Sequence, residues 1–219
     1  DVALKRGARR LDSGAFRVED FRVPLVDARL AGPRGTVVAP TEVAFEAQVN
    51  AFAGGPMPAL PLALSAVLRE VEPRFAGYED YSFSHSTRTP EEEEEGEDAG
   101  GNRTVARQLP ARTDAQGAAR IVVPNLPALR GPSELLAEVS FADPNGETQT
   151  VARRIKVWPS GVLVGLRAPG WAARRGGARF TVAVLDTDGK PLVGRAVEVI
   201  GRAHQTLSTR KRIVGGFYS

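Results

Sequence analysis

Glu42-Val43-Ala44-Phe45-Glu46-Ala47-Gln48-Val49-Asn50-Ala51 is the stretch that decides the fold. Val43, Phe45, Ala47, Val49 and Ala51 fall on one side of an extended chain, with Glu42, Glu46, Gln48 and Asn50 on the other. That period of two is the pattern of a half-buried strand in an antiparallel sheet. The same polarity returns in Leu135, Ala137, Val139 and Phe141, set against Glu134, Glu138 and Ser140. Turn tetrapeptides punctuate these runs. Asp143-Pro144-Asn145-Gly146 places proline where φ must be near about −65° and glycine where φ must be positive. Asp114-Ala115-Gln116-Gly117 and Asp186-Thr187-Asp188-Gly189 repeat the pattern, each ahead of another strand-like run.

Outward from that stretch, strands are expected near 16–26, 41–52, 60–71, 103–109, 118–124, 133–142 and 147–157, which make one seven-stranded unit. Trp158-Pro159-Ser160-Gly161 breaks the pattern, and a second unit opens at Val162 with strands near 162–167, 178–186 and 194–201. A sandwich takes on the order of 100 residues, so the second is expected to be partial, ending inside a strand around Ile213 to Tyr218. The expected fold class is all-β, with tandem immunoglobulin- or fibronectin-III-like β-sandwich domains, the second truncated. Residues 1–15 are expected as a linker or the end of a preceding module, 16–158 as a sandwich with an acidic loop insertion at 84–102, and 159–219 as the partial second sandwich.

Composition agrees with many short strands. The chain has 219 residues, 42% hydrophobic and 25% charged, which is globular and long enough to bury a core without covalent staples. Its 23 glycines and 16 prolines, with 6% aromatics, favour turns over long helices. There is no cysteine, which excludes disulfides, zinc–thiolate sites and thiol nucleophiles. Secreted eukaryotic modules of this size more often carry a bridge, whereas periplasmic proteins can fold without one. Asp1 opens a stretch with Lys5, Arg6, Arg9 and Arg10 and no apolar leader pattern, so the chain is expected to be an internal segment. Residues 50–68 carry no charge, long enough to raise the question of a membrane span. Pro56, Pro58 and Pro61, the Gly54-Gly55 turn and the alternation of Leu60, Leu62, Leu64, Ala66 and Leu68 resolve it into two strands and a turn.

Charge is unevenly distributed. Residues 70–98 hold eleven acidic against two basic side chains, and residues 151–219 hold three acidic against thirteen basic. Opposed patches of this kind are able to steer a partner or a neighbouring domain but identify neither. The run Glu91 to Glu95 with Glu97 and Asp98 has no apolar period and reads as a disordered, solvated loop; it lacks the spaced oxygens and positioned glycine of a calcium loop. The raw material for catalysis is thin. His85 and His204 fall in different expected units, so neither a shared metal site nor a triad is expected, and each reads as a surface residue. Arg212-Ile213-Val214-Gly215-Gly216 looks like the activation junction of a serine protease, but the flanking Ser208-Thr209-Arg210-Lys211 reads as the end of a β-hairpin, so a zymogen is not expected. The basic groups Arg174-Arg175-Gly176-Gly177 and Arg210-Lys211-Arg212, the latter followed by Phe217 and Tyr218, could suggest nucleic acid. Basic edge strands that prevent edge-to-edge pairing are the simpler reading. No catalytic, cofactor-binding or metal residues are assigned, and no cofactor, nucleic-acid partner or membrane contact is expected.

Several separated motifs together resemble the bacterial α2-macroglobulins. Phe16-Arg17-Val18-Glu19-Asp20-Phe21-Arg22-Val23-Pro24-Leu25 looks like the opening strand of a macroglobulin-like domain, and Ala53-Gly54-Gly55-Pro56 like its strand-turn signature. The stretch from Asp143-Pro144-Asn145-Gly146-Glu147 to Trp158-Pro159 resembles the closing hairpin. Ser208-Thr209-Arg210-Lys211-Arg212 with Gly215-Gly216-Phe217-Tyr218 is similar to part of the next module, near the region that carries the protease bait. The resemblance runs from residue 16 to the end. It implies two macroglobulin-like domains just before the bait region of a periplasmic or envelope-associated endopeptidase inhibitor for host-pathogen defence. Such a trap engages proteases through the full-length protein and packs these modules against neighbouring domains of the same chain. Many members of the family also use a thioester, which needs a cysteine that this chain lacks. The resemblance implies scaffold and no enzyme. The alternative is an immunoglobulin-like adhesin or carbohydrate-binding module of a bacterial surface protein, which would display exposed aromatics or a calcium loop.

Overall fold

The computed structural model describes residues 2–6, 9–14, 25–83, 102–168, 170 and 179–200. Among them the regular structure is strand alone, in twelve segments, with no helix. Strands β1 (Val2–Arg6) and β2 (Arg9–Gly14) pair as an antiparallel hairpin inside the stretch expected as linker or preceding module.

Eight further strands build a sandwich. Strands β3 (Val26–Ala31), β5 (Val43–Ala51) and β8 (Ala118–Val123) form a three-stranded sheet in the order β3-β5-β8. Strands β4 (Thr36–Val38), β6 (Pro61–Glu70), β7 (Asn102–Arg112), β9 (Ser133–Ala142) and β10 (Thr148–Trp158) form a five-stranded sheet in the order β4-β10-β9-β6-β7. Every pairing is antiparallel except β4 on β10, which is parallel. The alternation in the sequence is what the packing uses. Val43, Phe45, Ala47 and Val49 of β5 face Leu62, Leu64, Ala66 and Leu68 of β6 and Leu135, Ala137, Val139 and Phe141 of β9 in one core. Burying each large apolar side chain there is worth about 1.5–3 kcal/mol. A slip of one residue would turn the whole set to solvent, so the register is strongly specified.

The three Asp-x-x-Gly turns share one geometry. Asp114, Asp143 and Asp186 each accept, on one side-chain oxygen, the N–H groups two and four residues on, all at 2.8–2.9 Å. The glycines adopt φ of 75°, 81° and 83°. The tertiary outcome nevertheless differs. The Asp143 turn closes the β9–β10 hairpin, whereas the Asp114 turn carries the chain from β7 in one sheet to β8 in the other. At Gly117 a Cβ would run into Val49 O, so both the left-handed backbone and the close approach require glycine.

Beyond Trp158 the chain turns through Pro159 to Gly161 into a hairpin of β11 (Val162–Arg167) and β12 (Thr181–Asp186). Strands expected near 133–142 and 162–167 occupy those residues, and the run expected near 178–186 begins at Thr181. Three expectations need correction. The first sandwich has an eighth strand, β4, which is three residues long and too short for alternation to reveal. The run near 103–109 extends to Arg112, with a bulge opposite Ser65 where Gln108 takes φ of 51° and its N–H donates to Ser65 Oγ. The strand expected near 194–201 is absent over the described residues 194–200. Pairing after the Asp186 turn stops at the bridge of Leu185 with Pro191 and the bond from Leu192 N to Val184 O. The alternating valines at 197 and 199 find no strand to pair with among the described residues. Of the strand expected near 16–26 only Leu25 and Val26 are described, and β3 runs on from Val26 to Ala31, past the expected end. The acidic insertion at 84–102 lies outside the described residues except for Asn102, which opens β7. No helix among the described residues is long and apolar enough to cross a membrane, and 50–68 forms the end of β5, a turn and most of β6.

Candidate functional site: an aromatic joint

Strand alternation places Val157 in the sandwich core and Trp158 on the opposite side of β10. There Trp158 meets two other parts of the chain. One is the β11–β12 hairpin, through Leu163 and Leu185; the other is the segment 71–83, which leaves β6 and runs out along the hairpin. Trp158, Phe83, Leu163 and Leu185 are all buried in this second cluster, with Phe75, Tyr78 and Tyr81 packed against it.

The arm 71–83 folds through short turns, with Tyr78 N donating to Phe75 O and Tyr81 N to Tyr78 O, both at 3.0 Å. Its rings interlock edge to face. Phe75 lies 5.1 Å from Phe83 and 6.2 Å from Trp158, at interplanar angles of 77° and 89°. Such pairs add about 0.5–1.5 kcal/mol beyond area burial. The Arg167 guanidinium sits 5.0 Å from the centre of the Tyr81 ring. At its end the arm makes an isolated antiparallel bridge to the hairpin: Ser82 N donates to Leu166 O and Leu166 N to Ser82 O, both at 2.9 Å. The exposed Glu79 carboxylate accepts from Gly77 N at 2.9 Å, and that bond is the main reason its pKa lies below the ordinary value. The anion holds the turn, so acid weakens it as pH falls through the lowered pKa.

Two glycines make room for the arm. A Cβ on Gly165 would lie 2.5 Å from the Phe83 ring, and one on Gly189 would lie 2.5 Å from the Phe75 ring. Gly165→Val is therefore expected to push the arm off β11, at about 1–3 kcal/mol. Hydrogen exchange reads this directly. The amides of Ser82 and Leu166 should lose protection while Val43 to Val49 keep theirs, and unchanged exchange at Leu166 would refute the steric account.

Trp158 Nε1 is buried and has no hydrogen-bond partner among the described residues. Among the described residues no three of His, Cys, Asp or Glu lie close enough to hold a metal ion. His85, His204, the basic groups at 174–177 and 210–218 and the Arg212-Ile213-Val214-Gly215-Gly216 motif all lie outside the described residues. The sequence reading missed the joint altogether. Its signal was the placing of Phe75, Tyr78, Tyr81 and Phe83 within nine residues of a chain with only 6% aromatics.

An all-β chain with a two-sheet sandwich, followed by a hairpin packed on its edge, has the fold of macroglobulin domains. The solved structures it resembles are bacterial α2-macroglobulins. The trypsin-activated Escherichia coli protein matches at a TM-score of 0.59 and 18% identity, over 80% of this chain and 12% of that one. The native form from Escherichia coli matches at 0.59 and 17%, over 83% and 12%. The Salmonella protein reacted with methylamine matches at 0.58 and 16%, over 80% and 12%. The chain therefore spans about an eighth of the length of these relatives, and at such identities the likeness is one of fold. No protein-family profile and no curated protein sequence matches it.

Proposed function

We propose that the chain is a non-catalytic structural part of a bacterial protease trap of the α2-macroglobulin kind, an endopeptidase inhibitor of the periplasm or cell envelope. The observation that carries this reading is the alignment of four-fifths of the chain with such proteins in both native and protease-activated forms. In this reading residues 16–158 and 159–219 are macroglobulin-like modules just before the bait region. They pack against neighbouring domains and contact proteases only as parts of the longer protein. The joint at Trp158 is where one module would turn relative to the next when an attacker is enclosed. The adhesin or carbohydrate-binding alternative draws no support from these comparisons.

The test compares the longer parent protein with this 219-residue chain against trypsin and elastase, reading cleavage of a large protein substrate. The parent should protect the substrate while small peptide substrates are still cut, and the isolated chain should protect nothing, because enclosure needs the bait and the other modules. Tight stoichiometric inhibition by the isolated chain, or a parent without effect on either protease, would overturn the proposal.

A further inference from the structure

Beside the aromatic joint the sandwich, the arm and the β11–β12 hairpin enclose a cleft of about 530 Å³. Four cations line it: Arg153, Arg154 and Lys156 of β10, and Arg74 of the arm. Thr187 and Asp188, from the turn after β12, close the far side. The cleft exists because β4 covers β10 only at Lys156, Val157 and Trp158, so that among the described residues no strand pairs with the edge at Arg153 to Ile155. Arg154 spends part of its charge on Glu134, 3.6 Å away on the neighbouring strand. No carboxylate among the described residues lies within ion-pair distance of Arg74, Arg153 or Lys156.

We propose that this cleft is a binding site for a compact multivalent anion, such as a diphosphate or a small polycarboxylate. Like charges gathered at a concave surface repel one another and focus a positive potential that an anion relieves. Guanidinium groups offer paired donors that match phosphate and carboxylate oxygens, and the ammonium of Lys156 adds a point charge. With four cations and one carboxylate along its lining, the cleft carries a net positive charge that two or more negative charges balance better than one. The volume holds such an ion together with several of its waters. Because its walls come from the sandwich, the arm and the hairpin turn, a bound anion ties the three together. This site stands on its own residues and does not depend on the protease-trap reading.

The experiment is a titration of the isotope-labelled 219-residue chain with pyrophosphate and, separately, with citrate, followed by amide chemical shifts. The expected result is saturable binding with changes concentrated at 74–76, 153–156 and 187–188, weakening as salt is raised. Arg153→Gln with Lys156→Gln should weaken binding about tenfold, while Arg120→Gln, on β8 of the other sheet, should leave it unchanged. Asp188→Asn should tighten binding several-fold, a gain that a folding defect cannot mimic. Preference for pyrophosphate would narrow the ligand to phosphates, and equal binding would assign the cleft to compact anions in general. Shifts spread over all exposed arginines, or equal affinity in the wild type and the double variant, would overturn the proposal.

Discussion

Trp158→Ala is expected to remove about 3–5 kcal/mol from the attachment of the β11–β12 hairpin to the sandwich. Trp158 is 2% exposed and is the one residue of β10 in the second cluster, so its loss opens a void against Phe75, Phe83, Leu163 and Leu185 that the stiff strands cannot fill. The sandwich core contains none of these side chains. Hydrogen exchange should therefore show early opening at Leu163 to Leu166 and Ser82, with Val139 and Phe45 still protected. Trp158→Phe separates the causes: it keeps most of the ring burial and removes the unpaired indole N–H, whose desolvation costs about 1–3 kcal/mol. It should cost markedly less than alanine. Simultaneous loss of protection in both clusters on Trp158→Ala would mean that sandwich and hairpin unfold as one cooperative unit.

Phe45→Ala is expected to destabilise the sandwich as a whole, by about 3–5 kcal/mol. Phe45 is fully buried on β5, and its ring also supports the chain leaving β3, where a Cβ on Gly32 would lie 3.1 Å from it. A change of that size is a large part of a domain's total stability of about 5–15 kcal/mol. Chemical denaturation should show a lower midpoint with the same slope. A midpoint within error of the wild type would mean that the core relaxes into the space and that Phe45 is not central to it.

What was legible in the sequence was whatever depends on local pattern. Val43 to Val49 and Leu135 to Phe141 declare their inward faces by alternation, and the Asp-x-x-Gly turns declare themselves by chemistry. What the turns could not declare is which sheet the next strand joins. The Asp114 and Asp143 turns are alike in hydrogen bonding, yet one changes sheet and the other does not, because the partner strands lie far along the chain. The joint was hidden for the same reason. Phe75 to Phe83 has no period, since an arm lying on another element buries whichever rings reach it, and only Trp158, Leu163 and Leu185 give those rings a place. The basic cleft was equally invisible, for Arg74 and Arg153 are brought together by the docking of the arm. The run of Arg153, Arg154 and Lys156 alone reads as an ordinary exposed strand.

The bridge between Ser82 and Leu166 also orders events in time. The arm leaves the ribosome roughly 80 residues before the strand it pairs with, an interval of several seconds at about 5–20 residues per second. Throughout it Phe75, Tyr78, Tyr81 and Phe83 have no hairpin to lie on, although β6, at the arm's root, is complete from the start and β9 before the end. A nascent chain in that state presents unburied rings next to a run of glutamates, Glu91 to Glu95, whose charge opposes self-association.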